Sequence, residues 1–209
     1  MTTPAKPYAP ACDRNREPIL DVLKGYFLDR KQVLEVGSGT GQHAVFFAAA
    51  MPWLTWQTAD LAENLPGIRM WVDEAGLANL PPPIELFAAG PWPPKGAYDA
   101  VFTANTLHIM SWADVVRLFA GLDGVMGRDA VLAVYGPFNY GGKFTSDSNA
   151  QFDVWLKQRS AASGVRDFEA VNALAESIGL KLLADHAMPA NNRTLVWRRG
   201  TPGLIATAM

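Results

Sequence analysis

An α/β fold, doubly wound around a mostly parallel sheet, is predicted by three observations. A short apolar strand at Val33, Leu34 and Val36 runs straight into a glycine turn and then a helical pattern. Apolar runs at 54–58, 84–87, 98–104 and 130–135 then alternate with helical patterns, the order that builds βα units and a parallel sheet. The last two runs, 180–188 and 193–199, are joined only by a Pro/Asn turn, so one of them must run antiparallel. Together they make a Rossmann-like, seven-stranded sheet with a C-terminal antiparallel hairpin.

In chain order, residues 1–12 read as an extended arm, because Pro4, Pro7 and Pro10 interrupt any regular pattern. An amphipathic helix follows, carrying Ile19, Leu20, Leu23 and Phe27, with Asn15 as its expected N-cap and Glu17 and Pro18 in its first turn. A cap accounts for Asn15 but not for the arginines beside it. Arg14, Asn15 and Arg16 are therefore candidates for holding a substrate or cofactor carboxylate.

The turn is Glu35-Val36-Gly37-Ser38-Gly39-Thr40-Gly41. Its third glycine comes one residue earlier than in the dinucleotide fingerprint, and Glu35 stands just before it. A carboxylate beside a diphosphate would be repelled, whereas one beside a sulfonium and an α-ammonium would be attracted. The turn thus points to S-adenosyl-L-methionine (AdoMet), with S-adenosyl-L-homocysteine (AdoHcy) as product, and assigns Glu35, Gly37, Ser38, Gly39 and Gly41 to the cofactor. Asp60 follows the glycines by about twenty residues, the spacing at which a carboxylate receives ribose hydroxyls. Asp60 and Leu61 join the cofactor set. Asp60 and Glu63 also have capping-box spacing for a helix reaching about residue 73.

The third strand, 84–87, is brief, and residues 86–91 contain no acid to receive an adenine amine. Backbone groups and apolar walls must serve there, with Trp92 read as core. The strand 98–104 ends in Asn105-Thr106-Leu107-His108, at the crossing where the strand order of a doubly wound sheet reverses and ligands sit. Asn105 is assigned to the cofactor. His108, with an ordinary pKa of about 6.5, is read as the base in preference to His43 or His186, which lack that placement. Helix 114–126 and strand 130–135 follow, and Tyr135 is a second catalytic candidate. The stretch 136–149 is dense in polar and aromatic groups and reads as a lid, with Asn139 and Lys143 toward the substrate. Ser148 caps the next helix, Asp167 caps another that Gly179 stops, and 200–209 reads as a loose tail.

Whole-chain properties narrow the function further. The 209 residues suit one domain, and a formal net charge of −2 offers no basic face for nucleic acid. Cys12 is the single cysteine, which excludes an intrachain disulfide and suits a reducing, cytoplasmic setting. No run approaches the roughly 18 apolar residues of a membrane span. The expectation is a soluble monomer or homodimer acting on a small molecule, with no metal.

Several runs lie outside the generic turn: Ala-Cys-Asp-Arg-Asn-Arg-Glu-Pro-Ile-Leu (11–20), Gly-Ser-Gly-Thr-Gly-Gln-His-Ala (37–44), Asn-Thr-Leu-His-Ile (105–109), Tyr-Gly-Pro-Phe (135–138) and Met-Pro-Ala-Asn-Asn (188–192). With Phe-Thr-Ser-x-Ser-Asn (144–149) and Gly-Val-Arg-Asp (164–167), the chain resembles the methyltransferase-like protein twenty-six family. That resemblance implies a class I AdoMet-dependent methyltransferase, with Glu35, Gly37, Gly39 and Asp60 on the general cofactor motifs and Asn105 beside the methionine part. It implies no particular acceptor. The expected activity is methyl transfer to an oxygen, nitrogen or sulfur nucleophile. The alternatives are a non-catalytic AdoMet-binding module and a nicotinamide-dependent reductase.

Overall fold

The computed structural model describes residues 5–200. Its first helix, α1 (Pro10–Phe27), begins with a proline, which lacks the N–H that a first helical turn leaves unbonded. The helix therefore starts inside the stretch expected to be an arm, and Asn15 lies buried in its interior rather than capping it. Strand β1 (Gln32–Val36) leads through the glycine turn to α2 (Gln42–Ala50), and β2 (Thr55–Asp60) leads to α3 (Leu65–Ala75). The Asp60–Glu63 capping box does not form: α3 starts later, after Asn64 and with Pro66 in its first turn.

Strand β3 (Ile84–Glu85) is short, β4 (Tyr98–Ala104) is long, and α4 (Trp112–Val125) is capped by Ser111, whose hydroxyl accepts the Asp114 N–H. Helix α4 passes directly into β5 (Met126–Gly136), which is buried almost throughout. The stretch 136–149, read as a lid, is not uniform, and residues 140–148 are half-buried or exposed. Pro137–Asn139 is buried, and β6 (Phe138–Asn139) pairs in parallel with the distant β7 (Arg166–Asp167). Helix α5 (Asp147–Arg159) is capped by Ser146, not Ser148, through a bond from the Asn149 N–H. Helix α6 (Phe168–Ser177) follows Asp167, which makes no side-chain cap bond. The chain ends in β8 (Leu180–Met188), a short turn, and β9 (Asn192–Arg199). The tail expected over 200–209 lies outside the described residues beyond Gly200, as do residues 1–4 of the arm.

The main sheet has seven strands in the order β3-β2-β1-β4-β5-β9-β8. The first five are parallel, β9 is antiparallel to β5, and β8 is antiparallel to β9. Alternate residues of each strand feed opposite cores. Val33, Ala100, Phe102 and Ala133 pack with α1, α2 and α3, while Leu34, Val101, Leu132 and Val134 pack with α4 and α6. Burial on both faces is why these strands read as continuous apolar runs. The order reverses between β1 and β4, whose carboxyl ends diverge and open a crevice there.

Candidate cofactor and acceptor site

That crevice is a cavity of about 1010 Å³, at the upper limit for small-molecule sites. Its floor is the turn after β1. Gly37 and Gly39 are left-handed, with φ of 71° and 59°, and both line the cavity. Ser38, also in the lining, pins the turn to β2: its hydroxyl accepts the Ala59 N–H at 3.2 Å and donates to the Glu35 carbonyl at 3.3 Å. Gly41 stands outside the lining, and its function is packing, since a Cβ there would lie 3.2 Å from the Ile68 backbone of α3.

Glu35 does not face the cavity. It points from the same side of β1 as Val33, where the Trp56 indole N–H donates to its Oε2 at 2.9 Å. Complete burial drives its pKa up to about 8, so the group is protonated and neutral at physiological pH. The charge expected from Glu35 is supplied instead by Asp60, Glu63 and Asp114, all in the lining. Among the described lining residues there is no lysine or arginine.

Asp60 is positioned by the chain around it. Its Oδ2 accepts the Gly39 N–H at 2.6 Å, and its Oδ1 accepts the Leu61 N–H and the Asn64 amide, each at 2.7 Å. A carboxylate has about four lone-pair sites, so one on Oδ2 stays open to a ligand hydroxyl. Leu61 is exposed on the cavity rim. Leu86, whose N–H bonds the Asp60 carbonyl, Phe87, Trp92 and Met110 give the lining an apolar part, which suits a flat base approached without an acid. Trp92 belongs to this part as well as to the core. Asn105 sits at the end of β4 with φ of 58°, its N–H bonded to the Tyr135 carbonyl, and it too lines the cavity.

The remaining expected residues lie elsewhere. His108 is buried outside the lining, its ring edge-on to Phe152, and the fold holds it neutral with a pKa lowered by desolvation to about 4. Tyr135 is a core residue whose pKa burial raises, with Asn15 and Asn192 as side-chain partners. Arg14 is exposed, and Arg16 bonds Asp13 at 2.8 Å and lies over Phe46. Asn139 is buried beside β7, and Lys143 is exposed in a tight turn closed by reciprocal backbone bonds with Tyr140. None of these seven residues, Asn15 included, belongs to the cavity lining.

The covering element is instead the segment that leads into α1 together with the helix's first turn. Pro7, Ala9, Ala11 and Cys12 line the cavity. The Trp71 indole N–H donates to the Pro7 carbonyl at 2.7 Å, the Ala9 N–H donates to Gln42 at 2.6 Å, and Lys6 reaches Glu74 over the Trp71 ring. Cys12 is a wall and not a nucleophile, since burial raises its thiol to about 11. His43, in the first turn of α2, is the imidazole that lines the cavity. Its signal in the sequence was its position two residues beyond the last glycine, at the helix end that this topology aims at a ligand. Among the described residues no cluster of three or more His, Cys, Asp or Glu could hold a metal, and no helix is long and apolar enough to cross a membrane.

A seven-stranded α/β sheet with this order, an antiparallel hairpin at its end and a cavity at the reversal point defines the class I methyltransferase fold. Solved structures agree. The chain is similar to an O-methyltransferase family protein from Burkholderia thailandensis, at 17% identity and TM-score 0.77, over 92% of this chain and 58% of that one. It is similar to the S-adenosylmethionine-dependent methyltransferase SibL in its apo form, at 20% identity and TM-score 0.75, over 91% and 56%. It is also similar to PigF in a structure with SAH, at 14% identity and TM-score 0.74, over 87% and 55%. The chain thus spans little more than half the length of these proteins. It belongs to the family described as protein of unknown function (DUF938), whose model matches residues 6–199.

Proposed function

We propose that this protein is an AdoMet-dependent methyltransferase acting on an oxygen, nitrogen or sulfur nucleophile of a small molecule. The observation that carries the reading is the cavity's charge: Asp60, Glu63 and Asp114 line it without a lysine or arginine among the described residues. A diphosphate would meet repulsion there, and a sulfonium would meet attraction. Asp60 would receive a ribose hydroxyl on Oδ2, the wall from Leu86 to Trp92 would hold adenine, and Asn105 would face the methionine part. When bound, the cofactor supplies an electrophilic methyl group. The chain's own part is to orient the acceptor and keep water out, which provides much of the acceleration in such a displacement. The strapped segment from Pro7 to Cys12 would do the excluding. Membership of the methyltransferase-like protein twenty-six family, a cytoplasmic setting and a monomeric or dimeric state belong to the same reading.

Titration calorimetry tests it. AdoHcy should bind with measurable heat and NAD should not, and Asp60→Ala should weaken AdoHcy by tenfold or more. Methyl-labelled AdoMet incubated with a low-molecular-mass cell extract should yield labelled product. Binding without any labelled product would leave a binding module, and heat from NAD alone would sink the reading entirely.

A further inference from the structure

His43 in the cavity wall is paired with the buried Asn15 of α1, behind which lies the core residue Tyr135. The His43 Nε2 and the Asn15 Oδ1 are 2.7 Å apart. The direction of that bond follows from the atom that Asn15 presents. The Asn15 carbonyl oxygen is then the atom facing His43, and an oxygen that only accepts requires the proton on Nε2. Neutral imidazole has one N–H, so Nδ1 keeps its lone pair.

No described residue bonds Nδ1, and Nδ1 is not among the fully enclosed polar atoms that lack a partner. His43 is one of the residues that line the cavity. The ring itself is fixed, stacked on Phe47 at 5.3 Å and edge-on to Phe102. We infer that His43 Nδ1 is the base that takes the proton of a hydroxyl acceptor, with Asn15 as the residue that sets its tautomer. This rests on the methyltransferase reading and gives the role first sought in His108 to a residue inside the cavity.

The step balances. The acceptor oxygen forms a bond to the methyl carbon as the carbon–sulfur bond breaks, and that electron pair stays on sulfur, leaving a neutral thioether. The acceptor's proton passes to Nδ1 and from the imidazolium to water. One positive charge moves from sulfur to imidazole, so the dry cavity never holds more charge than it began with. That offsets the desolvation that lowers His43 to about 4, a value that leaves the ring unprotonated and ready at neutral pH. The groups facing it are Arg16, which lowers its pKa further, and Asp13, which raises it, with Tyr135 behind Asn15 and Cys12 on the same cavity wall.

Two measurements test the proposal. In protein labelled with ¹⁵N-histidine there are only three rings, and His43→Asn identifies the one in question. At pH 7 the His43 nitrogens should show the Nε2–H tautomer, and Asn15→Ala should convert it to a mixture. A Nδ1–H tautomer in the native protein overturns the proposal without any reference to activity. In the labelled-extract assay, His43→Asn should lower transfer at least a hundredfold while its AdoHcy dissociation constant stays within threefold of native, which also shows that it folds. Asn15→Asp keeps an acceptor for Nε2–H and adds charge, so the acid limb of the rate should move up from about pH 4 toward neutrality. Transfer by His43→Asn within threefold of native overturns the role of His43 alone. Native protein that binds AdoHcy and labels nothing overturns the methyltransferase reading beneath it.

Discussion

Gly37 answers two demands that no larger residue meets together. Its φ of 71° is left-handed, and a Cβ on it would lie 2.5 Å from the Thr106 hydroxyl oxygen and 2.8 Å from the Thr106 methyl. Gly39 is also left-handed, at 59°, but open space surrounds the place its Cβ would take. Both substitutions to alanine incur the left-handed penalty of roughly 1–2 kcal/mol. Only Gly37→Ala must also displace Thr106, a cavity residue next to Asn105. Thermal denaturation should therefore show a clearly lower Tm for Gly37→Ala than for Gly39→Ala, and equal losses would contradict the assignment. Glu35 marks the limit of reading such a turn from its letters. The residue type and spacing were legible, but which side of β1 it leaves from, and the Trp56 indole that meets it, come from the pairing of β1 with β2.

At the scale of elements, what a periodicity can reveal depends on whether the element's partners are local. Strand β4 and the bodies of β5 and α4 were legible from their apolar patterns, but the join at 126–129, where helix passes into strand with no stop, was not. The start of α1 was not, because Pro18 reads as a first-turn proline, whereas the helix carries it in its interior. Such a proline removes one backbone bond and crowds the carbonyl four residues earlier, and here that residue, Arg14, is exposed to solvent. Likewise β6 takes its partner from 166–167, a pairing that nothing within 136–149 announces. Helix α4 supplies a prediction of its own. A Cβ on Gly121 would fall 1.8 Å from the Trp92 ring, so the helix keeps a glycine mid-length to seat that indole against the cavity wall. Alanine there gains about 1 kcal/mol of helix propensity but must evict Trp92. Gly121→Ala should bind AdoHcy at least fivefold more weakly by calorimetry, and unchanged affinity would show that Trp92 is not part of the adenine wall.

Over the whole molecule, three buried groups set the dependence of stability on pH. His43 and His108 are each 6% exposed and Glu35 is 2% exposed, so solvent screens little of their shifts. The other shifted groups are the aspartates lowered from 3.8, the tyrosines raised from 10.0, Cys12, and Arg166, Arg193 and Arg198, shifted from 12.5. Each histidine has a folded pKa of about 4 against 6.5 unfolded, so the unfolded chain binds more protons between these values and stability rises with pH there. Glu35 has a folded pKa of about 8 against 4.5 unfolded, so the folded state binds more protons between them and stability falls as pH rises. Each group contributes a slope of about 1.4 kcal/mol per pH unit within its window. From 4.5 to 6.5 two rising slopes oppose one falling slope, and from 6.5 to 8 only the falling one remains. Tm measured from pH 4 to 9 should therefore peak near 6.5 and decline toward 8. Glu35→Gln keeps an oxygen for the Trp56 indole and has no proton to lose, so it should turn the decline into a plateau and stabilise the protein most at pH 8. A native Tm that stays level between 6.5 and 8 would show that Glu35 ionises normally, and with that the neutral floor beneath the glycine turn would be lost.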